Sequence, residues 1–289
     1  MESILIRLLK FLGKAVFYGF VALLVFLVGY ILWNLNYDVI FAQFGRLAGG
    51  TVMTIQLVAA SVFIGFFVAL PTALMRVSAS LLLNIPAYGF IFFFRGTPLL
   101  VQMFFIYYGL AQLEFIRESF LWPVFKEAYW CALIAFTLNT GAYSAEILRG
   151  AIQAVPAGEI EAARAIGMSK VLAYRRIILP RAFRIGLPAY GNEIILMIKG
   201  SALASTITLL DLTGMARTII ARTYTPVEIF LAAGIIYILL TVIFVEIWKR
   251  IETRSNRYLG PEAGSQPSVF GNVYEILMQS RRFRFGPKP

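Results

Sequence analysis

The sequence predicts an all-α, polytopic helical membrane protein, and three observations carry that prediction. The 289 residues have a mean hydropathy of +0.78 and only 14% charged side chains, whereas soluble domains carry about 25%. Uncharged runs at 15–33, 51–75, 77–94, 96–113, 128–145 and 229–245 approach or exceed the roughly 20 helical residues that cross the hydrocarbon. These runs are continuously apolar rather than alternating, which fits helices and excludes the strands of a barrel. A further stretch, 185–210, is apolar apart from Glu193 and Lys199.

Taken in order, the first run follows a basic start (Arg7, Lys10, Lys14). That pattern resembles a signal peptide, but the run is long and no small-x-small cleavage site follows, so it is expected to stay as a first span. The runs 77–94 and 96–113 are divided only by Arg95, and charge decides whether they are one span or two. As one interrupted span they give six crossings and put segments 1–14, 76, 147–184 and 249–289 on one side with 19 Lys and Arg. The opposite side then keeps five, Arg46, Arg117, Lys126, Arg217 and Arg222. That bias selects six spans, with both termini and the charged segment 147–184 in the cytoplasm. The tail 259–289 is rich in Gly, Pro and Ser and ends RRFRFGPKP, a composition expected to stay flexible and to meet anionic lipid.

Composition also excludes functions. A net charge of +11 would suggest nucleic acid in a soluble chain, but here the cations flank spans and set orientation, so no nucleic-acid partner is expected. The single Cys131 rules out a disulfide framework. There is no His, so His-based metal sites and triads are absent and neither catalytic nor metal-binding residues are expected. No G-x-x-x-x-G-K-S/T loop occurs, so the chain cannot cradle ATP phosphates in that manner.

The segment EIEAARAIGMSKVLAYRRIILP, 159–180, stands out against this apolar background. Glu159 and Glu161 suit the positive end of a helix dipole. Gly167 can end that helix in the left-handed conformation, Ser169 can cap a second helix, and Pro180 is expected to stop it. Ile160, Ala163 and Gly167 fall near one face, where small side chains would admit another protein closely. A solvated connector would not need these signals in register; a docking element for a cytoplasmic partner does.

These residues are where the chain resembles ABC importer permeases, whose EAA motif reads E-A-A-x3-G-x9-I-x-L-P. The matching positions are Glu161, Ala162, Ala163, Gly167, Ile177, Leu179 and Pro180. FFRGTPLLVQ (93–102), AFTLNTGAYSAEILRGAI (135–152) and PAYGNEIILMIKGSALAS (188–205) are similar to the polar amino acid branch, which carries histidine, lysine, arginine, ornithine and opines. The resemblance implies a type I importer transmembrane domain over 46–258, with a five-span core. Residues 1–45 would then be an N-terminal tail plus one extra span, and 259–289 a basic tail. It also implies a bacterial inner-membrane location, a cytoplasmic ATPase dimer docked on the 147–184 loop, a second permease chain (identical or different) and a periplasmic substrate-binding protein. ATP would be bound by the ATPase subunit, with no cofactor in this chain.

Ionisable residues inside spans are costly, about 3 kcal/mol each on insertion scales, so they invite a functional reading. Asn192, Lys199 and Thr206 recur every seven residues and share a face expected to line the cavity. In the importers this chain resembles, an acid at the position of Glu193 helps hold a cationic substrate; a structural hydrogen bond is the alternative. Lys199 would meet a substrate carboxylate or snorkel. Ser201 joins the expected pathway, although Gly200 departs from the polar or acidic residue of many relatives. Arg95, in FRGTP, marks a helix break beside the pathway. Asn139 either lines the cavity or makes an interhelical hydrogen bond. A channel or secondary transporter working without an ATPase is the alternative function, but neither internal repeats nor a filter signature is present.

Overall fold

The computed structural model describes residues 2–255; the tail expected at 259–289 lies outside the described residues. The order of elements begins with α1 (Glu2–Trp33) and α2 (Tyr37–Arg76), then α3 (Leu81–Gly96) and α4 (Leu99–Phe104). Short helices α5 (Glu114–Arg117) and α6 (Trp122–Phe125) precede α7 (Ala128–Gln153). Helices α8 (Ala157–Ala165) and α9 (Lys170–Ala173) lead into α10 (Leu179–Gly200), and α11 (Leu212–Thr223) and α12 (Pro226–Ser255) complete the chain. Among the described residues there is no strand.

Four helices are long and apolar enough to cross a membrane, and six spans result if each of two bent pairs counts as one. One bent pair is the interrupted span expected from the sequence. It turns by 103° between Leu81–Gly96 and Leu99–Gln112, because Thr97 is extended before Pro98, a residue that disfavours helix in its predecessor. The other bent pair, Lys170–Ile207 with Leu212–Thr223, turns by 47°.

The segment 34–50, between the first two apolar runs, is largely helical. The side chain of Asn36 caps α2 by accepting from the Val39 N–H at 3.4 Å. From there α2 runs 40 residues, about 60 Å at 1.5 Å each, so it exceeds the hydrocarbon thickness. Its first turns are held by burial of Leu47 and Gly50 against α11. The boundary expected at 45/46 therefore falls inside a helix. The break in secondary structure lies at Asn34–Asn36, after α1.

The bundle is built around α7, whose small residues let α2 approach. Gly65 lies against Thr140 and Gly141, where a Cβ would intrude on the Thr140 side chain. Such close backbone approach is how helices associate where no hydrophobic effect drives them together. The central cluster joins Leu57, Met103, Phe136, Met197 and Ile207. A second, at the end carrying α8 and α9, gathers Ala73, Leu148, Ile152, Ile178 and Ala182. A third packs Leu47 with Leu212, Ile219 and Ile229. Helix α1 stands apart: the window Val16–Trp33 has none of its residues buried, which leaves its apolar side chains suited to lipid.

Candidate functional site: coupling loop and membrane pathway

The loop after α7 folds largely as its local signals dictate. Helix α8 ends where Gly167 takes φ +77, with its N–H on the Arg164 carbonyl at 2.9 Å and that of Met168 on the Ala163 carbonyl at 3.0 Å. These bonds satisfy terminal carbonyls that would otherwise be orphaned. Ser169 then caps α9, its hydroxyl accepting from the Leu172 N–H at 3.4 Å. Glu159 pairs with Arg181 at 3.2 Å, tying α8 to the first turn of α10.

Two expectations for this loop need correction. Pro180 does not stop the second helix: α9 passes through a π-helical turn, Tyr174–Ile178, straight into α10. The Leu179 N–H reaches back five residues to Tyr174, and the wider turn absorbs a proline ring that lacks an N–H of its own. Nor is Ala163 part of an open face. It is 1% exposed, and Ile160 packs on the cluster of Ile178 and Ala182. What the loop presents outward is Glu161, Ala162 and Gly167, flanked by Ile166 and Val171, which are 71% and 79% exposed. Of the other motif positions, Ile177 and Leu179 are half-buried and Pro180 is exposed.

At the α3–α4 break, side chains replace the missing helical hydrogen bonds. Gln102 Nε2 donates to the Phe94 carbonyl at 2.9 Å, the Thr97 carbonyl at 3.0 Å and Thr97 Oγ1 at 2.8 Å. Asn139 Nδ2, on α7, donates to the same Phe94 carbonyl and to Gln102 Oε1, both at 3.1 Å. Asn139 thus makes interhelical hydrogen bonds across the break. Sequence reading missed Gln102; the available signal was a polar residue four positions after the proline of a broken span.

On α10 the candidate residues divide between two faces. Glu193 is 6% exposed and points into the bundle; among the described residues its carboxylate makes no hydrogen bond or ion pair, and Arg95 acts on it through space. Asn192 and Lys199 share a different, exposed face with Leu196. Ser201 is fully buried, its hydroxyl spent on the Ile198 carbonyl at 2.7 Å. Arg95 lies 5.1 Å above the Tyr143 ring and 4.0 Å from Glu146. Glu193 and Lys199 therefore do not meet, as their six-residue separation predicts.

A further polar cluster went unread in the sequence. Asp211, fully buried, caps α11 by accepting from the Gly214 N–H at 2.9 Å and the Thr213 N–H at 3.3 Å. It also accepts from the Tyr237 hydroxyl at 3.3 Å, while Thr54 Oγ1 accepts from the Leu212 N–H at 3.1 Å. This knot fastens α2, α11 and α12 where α10 ends. Further along α12, Trp248 lies on the bare backbone of Gly191, where a Cβ would overlap its indole, and donates to the Leu187 carbonyl at 3.1 Å.

Comparison with known proteins extends this picture. Residues 61–257 match the family described as "Binding-protein-dependent transport system inner membrane component". The octopine transport system permease protein OccM of Rhizobium meliloti is 53% identical over 72% of this chain and 85% of its own length. The nopaline transport system permease protein NocM of Agrobacterium fabrum is 46% identical over 80% and 96%. The histidine/lysine/arginine/ornithine transport system permease protein HisM of Escherichia coli is 44% identical over 74% and 90%. Among solved structures, an amino acid ABC transporter matches with a TM-score of 0.69 and 36% identity, over 76% of this chain and 99% of that one.

Proposed function

Because this chain belongs to the family of binding-protein-dependent transport system inner membrane components, as an ABC importer permease and not an enzyme, we propose that it forms the translocation pathway for a basic amino acid or an opine. The family implies an ATPase partner and a substrate-binding protein. In our reading the ATPase is a cytoplasmic dimer that binds ATP and docks on the 147–184 loop. A second permease chain, identical or different, completes the cavity against the exposed face of Asn192 and Lys199. Both termini lie in the cytoplasm of a bacterial cell, and the binding protein delivers substrate from the periplasm.

The observation that carries the proposal is continuity. From Lys170 to Ile207 the chain is a single helical rod, so a displacement at the loop tip moves the segment bearing Asn192, Glu193 and Lys199. The exposed Ile166 and Val171 beside Glu161 offer the apolar anchors that a docked partner buries. Glu193 supplies a buried acid with no partner among the described residues, suited to the cationic end of a basic substrate. Relatives named for octopine, nopaline and basic amino acids support that substrate class.

The test is uptake of labelled arginine by cells making the complete importer, comparing wild type with Glu161→Lys and Glu193→Gln. Glu161→Lys is expected to reach the membrane yet lose ATPase co-purification and uptake together. Glu193→Gln is expected to assemble but to lose uptake and its competition by lysine and opines. Normal uptake in Glu161→Lys would overturn the coupling role, and unchanged uptake and competition in Glu193→Gln would overturn the substrate role.

A further inference from the structure

A cavity of about 360 Å³ lies between the end of α2, the length of α3 and the middle of α7, lined by Arg76, Tyr88, Arg95, Tyr143 and Glu146. Its size falls within the range of about 300–1,000 Å³ usual for small-molecule sites. Both arginines lie over aromatic faces: Arg76 is 5.0 Å from the Tyr88 ring centroid and Arg95 5.1 Å from that of Tyr143. Stacking of this kind fixes a guanidinium plane while leaving its edge free to donate.

The hydrogen-bond inventory shows what those edges lack. Glu146 is held by Arg149, whose Nε and Nη2 donate to its two oxygens at 2.8 Å and 2.6 Å. That leaves Arg95 at 4.0 Å from the nearer oxygen, beyond hydrogen-bonding distance, and among the described residues its guanidinium makes no hydrogen bond. Arg76 donates through Nη1 to Asn84, but its Nε is buried without a hydrogen-bond partner. Two guanidiniums, Arg76 and Arg95, thus share the cavity wall with one carboxylate, and that carboxylate is already held by Arg149. Guanidinium donors left unspent at the wall of a cavity suit anionic oxygens from outside the chain.

Carboxylates of the transported molecule fit better than the phosphate of a lipid. Tyr88 and Arg95 are seven residues apart on α3, about 10 Å along the helix axis, so the cavity runs from the end of α2 marked by Arg76 into the depth of the bundle. On the premise that this chain is the permease proposed above, we propose that the cavity is a carboxylate-binding station on the pathway, with Arg95 and Arg76 as its donors. It would favour substrates carrying two carboxylates beside an amine over those carrying one.

The test is equilibrium binding to the purified permease–ATPase complex in nanodiscs, without binding protein, of three probes. They are arginine, its N-(1-carboxyethyl) derivative with two carboxylates, and its decarboxylated analogue with none. Affinity is expected to fall from two carboxylates to one to none, by about tenfold per carboxylate, the size of one charge-assisted hydrogen bond. Arg95→Gln and Arg76→Gln should each flatten the series, and Arg95→Lys, which keeps the charge but not the fork, should restore it in part. Phospholipid retained by each variant is measured by native mass spectrometry on the same samples. An unchanged series in both Gln variants overturns the proposal, as does loss of bound phospholipid from them with the series intact, which would assign the cations to headgroup phosphate. Co-purification of the ATPase and uptake of arginine by the wild-type complex report separately on the permease reading.

Discussion

Asn139 offers a sharp discrimination between support and transport. Replacing it with Ala removes two 3.1 Å hydrogen bonds, one to the Phe94 carbonyl and one to Gln102 Oε1. The Phe94 carbonyl keeps its bond from Gln102 at 2.9 Å, so only Gln102 Oε1 loses its donor. Interhelical hydrogen bonds in membranes average about 0.6 kcal/mol, with values near 2 kcal/mol at the upper end. Two of them, plus the small void left at a site 6% exposed, put the loss at about 2 kcal/mol. That is a roughly thirtyfold shift in the folded-to-unfolded ratio. Reversible unfolding of the purified chain in mixed micelles with increasing SDS would read it. Gln102→Ala, which loses three donated bonds and one accepted bond, should cost more, and the double variant should cost less than the sum. If Asn139→Ala left the unfolding curve in place while uptake fell, Asn139 would be a pathway residue and the bracing argument would be wrong.

Two other perturbations test the packing that holds the pathway helix. A methyl group at Gly191 must displace the Trp248 indole, breaking its 3.1 Å bond to Leu187. Gly191→Ala should therefore destabilise by about 1–3 kcal/mol in the same micelle assay, and a Trp248→Ala background should erase most of that cost. Asp211→Ala strips the cap of α11 and removes one acceptor of the Tyr237 hydroxyl, a loss of about 2 kcal/mol. Asp211→Asn, which keeps an accepting oxygen for the cap, should cost clearly less, and equal unfolding curves for the two variants would count against the capping role.

Where a structural feature depends on near neighbours in the chain, it was legible. Gly167 in the left-handed region and Ser169 as a cap follow from a few consecutive residues, and both stand where the sequence placed them. The break at Arg95-Gly96-Thr97-Pro98 follows from proline's effect on its predecessor, and the chain turns there. The placement of Glu193 and Lys199 on different faces, about 120° apart, follows from helical periodicity. Pro180 shows the limit of such rules: its missing N–H is a local fact, but whether a helix stops or widens depends on packing, and buried Ile178 and Ala182 keep α10 continuous.

By itself the sequence determined an all-helical membrane chain, the grouping of its cations, the charged loop that carries the EAA motif, and the family it belongs to. Those properties are sums over composition or patterns within one or two turns, so each segment states them alone. Only the tertiary structure decided which polar residues brace the bundle and which stay unsatisfied. Asn139 meets a carbonyl 45 positions away, Trp248 closes on a glycine of another helix, and Arg76 and Arg95 come to share one cavity. Whether a polar side chain in a span finds a partner, and which one, is fixed by how helices cross, which no single segment encodes.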